Sequence, residues 1–295
     1  MPASFNQSVI DEFRARAGRV GGPFEGGDLL LLTTTGARSG KRHTVPLGYV
    51  RDAERGLPMV IGSAGGAHRH PAWYHNLLAH PLVEVEIGTE VYEAVAVPAE
   101  GEARERLFAQ VTAAVPGYGD YQEATSRVLP VVVLEPAEHA PRKPVANLAD
   151  KMVAVHDWLR AELAHVEAEV AAYFAHRTPG ASAPPLGLRI RQHCLAFCQT
   201  LDFHHRAEDA HAFPGLARQH PELAPAFERL RAEHVTVARL QTDLVALLAD
   251  VEHADPVRFR SELAQLVTEL TAHLDYEEEV VLPPLAAIPF PPAPA

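Results

Sequence analysis

The chain keeps two rhythms, and the change between them falls near residue 140. Before it, short apolar runs are broken by Gly, Pro and Thr: Leu29 to Thr35, Thr44 to Arg51, Met59 to Ser63, Val83 to Ile87, Glu90 to Pro98 and Val128 to Glu135. β-Branched and aromatic residues in runs of this length, bounded by turn formers, predict strands. Three helical patterns accompany them, Ser8 to Ala17, Trp73 to Ala79 and Glu102 to Val115. So many strands with so few helices predict a barrel-like sheet rather than a βαβ series.

After a polar, Pro-rich stretch from Pro136 to Pro144, apolar residues recur at alternating three- and four-residue steps, the mark of bundled helices. Four helices are predicted. The first runs from about Asn147 to His176 and stops before Thr178-Pro179-Gly180; a loop through Pro184-Pro185 leads to the second, about Leu186 to Ala212, stopped by Pro214-Gly215. The third starts near Pro221 or Pro225 and ends near Asp250. The fourth opens on Asp255-Pro256, an N-cap followed by proline at the first helical position, and ends near Pro283-Pro284. The expected fold class is α+β multidomain: a barrel domain over 1–138, a linker over 139–146, an up-down-up-down four-helix bundle over 147–288 and a disordered tail over 289–295.

Composition narrows the function. At 295 residues the chain can bury two cores, and 47% hydrophobic with 22% charged residues is ordinary globular usage. A net charge of −12 argues against general nucleic-acid binding. No apolar stretch reaches the length of a membrane span and the N-terminus lacks a signal-peptide core, so a cytoplasmic protein with no transmembrane segment is expected. Cys194 and Cys198, four residues apart on a predicted helix, read as small core residues rather than a disulfide or zinc framework. The 17 histidines are the unusual feature, and their spacing gives them meaning.

On the second predicted helix the apolar stripe is Ile190, Cys194, Phe197, Leu201, then His204 and Glu208; on the fourth it is Phe259, Leu263, Leu266, Leu270, then His273 and Glu277. The first and third helices each replace one stripe position, by His156 and His234. The two halves of the bundle thus form a weak internal repeat. In an up-down-up-down bundle the starts of helices one and three lie beside the ends of helices two and four, so these six side chains converge at one end of one core. An unpaired ionised carboxylate there costs on the order of several kcal/mol. A cation removes that cost, and imidazole with carboxylate but no thiolate suits iron, manganese or zinc, with carboxylates able to bridge two ions. A buried His–Glu hydrogen-bond network without metal is the other reading. His205 and Asp209 are candidates to touch such ligands from outside; His193, His211, His165 and His176 are expected to be solvated.

The run His156-Asp157-Trp158-Leu159-Arg160, then His204-His205-Arg206-Ala207-Glu208, His234, and His273-Leu274-Asp275-Tyr276-Glu277-Glu278 resembles the hemerythrin-like (HHE cation-binding) domains over about residues 150–288. The resemblance implies a bridged di-iron centre, two iron ions with Glu208 and Glu277 as bridging ligands. Oxygen-carrying relatives have a second histidine one turn after the one matched by His234, where this chain has Ala238. Their last carboxylate lies five residues after its histidine, which would select Glu278, whereas the stripe and the repeat select Glu277. With a ligand missing, reversible oxygen carriage is disfavoured; oxygen or redox sensing, iron handling and peroxide chemistry stay open.

In the first half, Thr33 to His43 is a polar loop with three cations after a strand, and Ile61-Gly62-Ser63-Ala64-Gly65-Gly66 leaves backbone accessible to a planar ligand. Together with Pro71-Ala72-Trp73-Tyr74-His75-Asn76-Leu77, these segments resemble the deazaflavin-dependent nitroreductase family, split β-barrel proteins that use coenzyme F420. The match covers about residues 25 to 136. It implies that Arg38, Ser39, Gly40, Lys41 and Arg42 hold the cofactor's phosphate and acidic tail, that Ser63, Ala64, Gly65 and Gly66 line the deazaflavin ring, and that Trp73 and Asn76 belong to the same site. Tyr118 and Tyr121 match a segment bordering the substrate pocket and are the candidate catalytic hydrogen-bond donors. Ala37 and His43 stand where arginines are common, and Ala64 where lysine is, so a flavin or haem remains an alternative ligand.

The combined expectation is an F420-dependent reductase of nitro or quinone acceptors joined to an oxygen- or redox-responsive di-iron bundle, with a small-molecule electron acceptor, O2 among the candidates, and a homodimer through the barrel. The alternative is a non-enzymatic iron or oxygen sensor whose barrel merely binds a cofactor.

Overall fold

A computed structural model describes residues 5–137, 145–176, 188–249 and 254–290. The chain splits into two compact units, Met1–Glu138 with Gly187–Gln192, and His139–Leu186 with His193–Ala295. The expected stops at Thr178-Pro179-Gly180 and Pro184-Pro185, and most of the expected linker and tail, lie outside the described residues.

In the first unit, six antiparallel strands close into a barrel in the order β1-β2-β3-β6-β5-β4: β1 (Leu29–Thr35), β2 (Arg42–Arg51), β3 (Pro58–Ile61), β4 (Leu82–Ile87), β5 (Glu90–Pro98) and β6 (Val131–Pro136). Closure leaves no unpaired edge. Leu30, Leu32, Val60, Val85, Ala94 and Val132 belong to one buried cluster, which α2 (Ala72–Ala79) completes with Trp73 and Leu77. The outward face is also covered. Leu29 and Leu31 pack on Val9, Ile10 and Phe13 of α1 (Phe5–Ala15), while Met59, Ile61 and Val131 pack on Leu107 and Val111 of α3 (Gly101–Ala114). Burial on both faces is why β1 reads as four consecutive leucines instead of an alternating strand. Gly18, at φ +87°, passes so close to Gly88 that an added Cβ would lie 2.6 Å from the Gly88 Cα.

The sequence pattern missed one element here. Helix α4 (Gly117–Glu123) forms although Gly117 and Gly119 lower its intrinsic propensity; its far end packs on the turn at Gly66.

The second unit holds four long helices, α5 (Leu148–His176), α6 (Leu188–Ala207), α8 (Ala224–Ala249) and α9 (Pro256–Leu285), with a short α7 (Phe213–Gln219) between α6 and α8. The second helix does not stop before Pro214. It passes through one π-helical turn, Glu208–Ala212, and Pro214 then occupies the first turn of α7, where a missing N–H is harmless. α9 begins as its sequence predicts: the Asp255 carboxylate accepts from the N–H groups of Val257 at 3.0 Å and Arg258 at 2.9 Å. It runs through Pro283 and Pro284 because Val281 and Leu285 are buried in an apolar layer with Met152, Phe213, Phe227 and Leu230. Pro289 bridges Asn147, and the Phe290 N–H donates to the Ala146 carbonyl, so the expected tail starts as a short pairing. No helix among the described residues is long and apolar enough to cross a membrane.

Leu32 has no exposed surface and its side chain fills the barrel interior. Leu32→Ala is expected to cost about 2–5 kcal/mol, read as a lowered denaturation midpoint in the far-ultraviolet circular dichroism of the strands.

Candidate functional site

Seven polar side chains meet inside the bundle. His156 comes from α5, His204 and His205 from the end of α6, Glu208 from the π-helical turn, His234 from α8, and His273 and Glu277 from α9. His156 and Glu277 are wholly buried. The buried leucines and valine one turn along, Leu159, Leu201, Val237 and Leu270, close one side, and the layer around Phe213 closes the other.

The donors sort into two groups that share Glu277: His156 with His204, and His205 with His234 and His273. Within each group the donor atoms lie within 4.8 Å of one another. Glu277 Oε2 is 3.5 Å from His156 Nε2 and 3.8 Å from both His204 Nε2 and His273 Nε2. Glu208 also reaches both groups, with Oε1 3.2 Å from His204 Nε2 and Oε2 3.8 Å from His234 Nε2.

The fit to a cation is decided by what these atoms lack. Glu208 Oε2, His234 Nε2 and both oxygens of Glu277 are buried without a hydrogen-bond partner. Beside them, ring nitrogens are bonded only to one another, His156 Nε2 to His204 Nε2 at 2.8 Å and His273 Nε2 to His205 Nε2 at 3.2 Å, while those carboxylate oxygens and His234 Nε2 stay unpartnered. Folded cores rarely tolerate one such group, and here several point at the same space. Nitrogen and carboxylate donors with no thiolate fit iron, manganese or zinc.

The electrostatics agree. Burial, then the charge of Glu277, pushes the Glu208 carboxyl well above its ordinary range. Burial opposes ionisation of Glu277 too, but the nearby His204, Glu208 and His156 outweigh that and lower its pKa. Burial, then His234, His204 and His273, holds His205 neutral, and burial lowers His156 and His234 as well.

His205 corrects the sequence reading, which placed it outside the cluster. Its ring stacks on His234 at 4.0 Å and meets His273 edge-on at 4.9 Å. Adjacent helical residues diverge by about 100°, so His204 leans toward α5 and His205 toward α8 and α9. The His-His doublet was the one hint in the sequence. Glu278, the competitor of Glu277, turns away: its Oε1 bonds His156 Nδ1 at 2.9 Å and Arg160 at 2.7 Å. His193, expected to be solvated, is buried against Glu162 at 2.7 Å.

In the barrel unit a cleft of about 590 Å³ opens between the β1–β2 turn and α2, lined among others by Arg38, Ser39, His43, Trp73, His75 and Asn76. Asn76 fixes the turn, accepting the Ala37 N–H on Oδ1 and donating from Nδ2 to Thr34 Oγ1, each at 3.1 Å. Of the cations on this turn, Arg42 is paired with Glu84 at 2.7 Å, whereas Arg38 and Lys41 have no carboxylate partner among the described residues. Gly40, Lys41 and Arg42 are not on the cleft wall.

Ser63, Ala64, Gly65 and Gly66 form a separate turn, which Arg127 clamps. Its Nη2 donates to the Ser63 carbonyl at 2.6 Å, its Nε to the Ala67 carbonyl at 2.7 Å, and its Nη1 lies 3.1 Å from His70 Nδ1. Nothing in the sequence near this turn signals Arg127. Gly66, at φ +79°, lies under α4, where an added Cβ would stand 3.0 Å from Ala124 Cβ. The rings of Tyr118 and Tyr121 lie 6.1 Å apart on α4, and burial raises the Tyr118 phenol, which keeps its proton.

With this geometry in view, comparison with known proteins is direct. Residues 6–136 match the model of the F420H(2)-dependent quinone reductases, and residues 147–285 match the hemerythrin HHE cation binding domain. An F420H(2)-dependent quinone reductase of Mycobacterium tuberculosis is 39% identical over 126 residues, 41% of this chain and 83% of that protein. A second Mycobacterium tuberculosis relative is 35% identical over 107 residues, 36% of this chain and 88% of that one. A solved F420-H2 dependent reductase is 40% identical over 37% of this chain and 94% of its own, with a TM-score of 0.34. The chain belongs to the F420H(2)-dependent quinone reductase family and continues into a hemerythrin HHE domain.

Two facing carboxylates make the metal-free bundle carry a cost that a cation relieves. In chelator, the Glu208→Gln/Glu277→Gln double variant is expected to melt a few degrees above the parent, at about 2–4 °C per kcal/mol for a chain of this size. It should also lose the stabilisation that ferrous ion gives the parent. Melting at or below the parent in chelator would mean the carboxylates are satisfied without an ion.

Proposed function

We propose that this protein is a two-cofactor oxidoreductase: its barrel reduces quinone- or nitro-type acceptors with reduced F420, and its bundle holds a pair of iron ions. The observation that carries the enzymatic half is the cleft at the β1–β2 turn, where Arg38 stands beside Ser39 without a carboxylate partner among the described residues. An uncompensated guanidinium next to a hydroxyl and turn N–H groups suits an anionic cofactor tail. The name of the Mycobacterium tuberculosis relative supports a quinone acceptor.

The chain's own residues divide the work. Arg38, Ser39 and the Asn76-braced turn would hold the anionic end, and Lys41 would add long-range attraction. Trp73, shared between barrel core and cleft wall, offers an apolar face. The turn from Ser63 to Gly66, held rigid by Arg127, presents backbone with no bulky side chain, which a flat ring needs. Bound reduced deazaflavin would supply a hydride, the two electrons and one of the two protons of quinone reduction, the second proton coming from water. Tyr118 keeps its phenolic proton and is available to donate a hydrogen bond to the acceptor oxygen, with the half-exposed Tyr121 at the rim.

In the bundle, His156, His204, His205, His234 and His273 would supply nitrogen ligands, and Glu208 and Glu277, each within reach of both groups, would bridge. Iron held there supplies a redox-active, oxygen-responsive centre. The other residues keep it dry: Phe213, whose ring stacks 5.7 Å from His234, closes the end of the bundle.

The test is anaerobic oxidation of reduced F420 by the full chain with menadione as acceptor, alongside iron analysis. Acceptor-dependent oxidation is expected, with Arg38→Ala raising the KM for the cofactor by about 10-fold or more, the scale of one charge-assisted contact. No oxidation by the wild type would sink the enzymatic half. Fewer than one bound iron per chain after growth in iron-supplemented medium would sink the metal half.

A further inference from the structure

Three of the five imidazoles in the bundle share a detail that a ligand list does not describe. His156, His234 and His273 each turn Nε2 toward the centre and Nδ1 outward onto a carboxylate. His156 Nδ1 lies 2.9 Å from Glu278 Oε1, His273 Nδ1 3.0 Å from Glu233 Oε2, and His234 Nδ1 3.1 Å from Asp209 Oδ1. Two of the three carboxylates are in turn bonded by an arginine, and the third has one nearby. Arg160 Nη1 donates to Glu278 at 2.7 Å and its Nη2 to Asp275 at 2.7 Å; Arg229 Nε donates to Glu233 at 2.7 Å; Arg231 Nε stands 4.0 Å from Asp209. Two of the guanidinium groups rest near aromatic rings, Arg229 over Tyr276 at 3.6 Å and Arg231 over Phe213 at 6.0 Å.

The chemistry of the three links is directional. An ionised carboxylate can only accept, so the imidazole facing it must donate from Nδ1, and a neutral ring that carries its proton there leaves Nε2 a bare lone pair. That is the form a metal ligand needs. The arginine does a second thing. A carboxylate tied to one guanidinium holds one rotamer, and its charge is shared, so it orients the ring without drawing the proton fully off it.

We propose that Arg160 and Arg229 are positioning residues for the metal centre, each fixing the carboxylate that orients one imidazole, so that the lone pairs of His156 and His273 face inward before any ion arrives. The proposal rests on the reading of the bundle as a metal site. It extends that reading to residues outside the core that touch no ligand directly. Each of the two relays also spans two elements: α5 to α9, and α9 to α8. A purely structural role would therefore predict lost stability, while a positioning role predicts altered imidazoles in a protein that still folds.

The experiment uses the full chain stripped of metal, Co2+ as a spectroscopic probe, and nitrogen-15 spectra of the histidine rings. The variants are Arg160→Met and Arg229→Met, singly and together, with Arg160→Lys and Arg229→Lys as conservative controls. In the metal-free wild type, His156 and His273 are expected as the Nδ1-protonated tautomer. In the double variant that signature becomes mixed and Co2+ affinity falls about 10- to 100-fold, the usual effect of removing an outer partner of a metal ligand. Two ions still bind, and the circular dichroism is unchanged. The lysine variants recover part of the affinity. Wild-type tautomers and unchanged Co2+ affinity in the double variant would overturn the proposal. A wild type that takes up no Co2+ would instead overturn the metal reading, and the tautomer measurement would still decide whether the arginines set the rings.

Discussion

Glu277 has no solvent-exposed surface, and Glu208 faces it from the next helix end. An uncompensated carboxylate in such a place costs several kcal/mol by the general measure of buried charges, against a net stability of roughly 5–15 kcal/mol for a whole domain. The bundle is built around that constraint. Imidazoles crowd the carboxylates from four helices, apolar layers seal both sides, and two pairs of ring nitrogens share hydrogen bonds at 2.8 and 3.2 Å. None of this is favourable packing by itself. It becomes favourable when cations take the space the donors define.

The internal repeat explains how so many groups are placed with so little sequence. His204 to Glu208 and His273 to Glu277 have the same four-residue spacing, and in each case an acid follows directly, Asp209 and Glu278. The first acid turns inward. The second, about 100° further round the helix, reaches the groove and takes the outer nitrogen of an imidazole on another helix: Asp209 that of His234, Glu278 that of His156. One six-residue pattern thus supplies a central carboxylate and an orienting carboxylate, twice. The repeat fails at His205, whose counterpart is the buried Leu274. That failure puts an extra imidazole on the side of the centre where Ala238 offers none.

Much of this was legible because periodicity records burial. β1 and β5 have their sequence-expected bounds, the Asp255 cap is where the composition put it, and the six stripe-breaking residues converge. What escaped depended on departures from a regular period or on long-range partners. A π-helical turn carries the helix on to Pro214, which the sequence pattern reads as a stop, and His205 reads as peripheral because, one position after His204, it lies about 100° round the helix, toward α8 and α9. Helix α4 carries two glycines and is held by packing that its own sequence does not announce. Arg127 lies some sixty residues from the turn it clamps, and Glu84, which neutralises Arg42, lies 42 residues beyond it. A local reading counts cations; it cannot see which of them are already paired.

That last point separates the two sites by physical strategy. The bundle buries negative and lone-pair-bearing groups in an arrangement suited to cations. The barrel does the reverse: in a chain of net charge −12, Arg38 and Lys41 stand without carboxylate partners among the described residues while nearby Arg42 is paired. With acids in such excess, leaving two cations uncompensated on one braced turn requires that acids be kept away from it, and Asn76 occupies the position from which a carboxylate could otherwise reach in. A neutral amide there holds the turn by accepting and donating at once, which a carboxylate could not do. The uncompensated positive charge is therefore part of the architecture of the barrel, as the converging carboxylates and imidazoles are of the bundle, and each favours a partner of opposite sign.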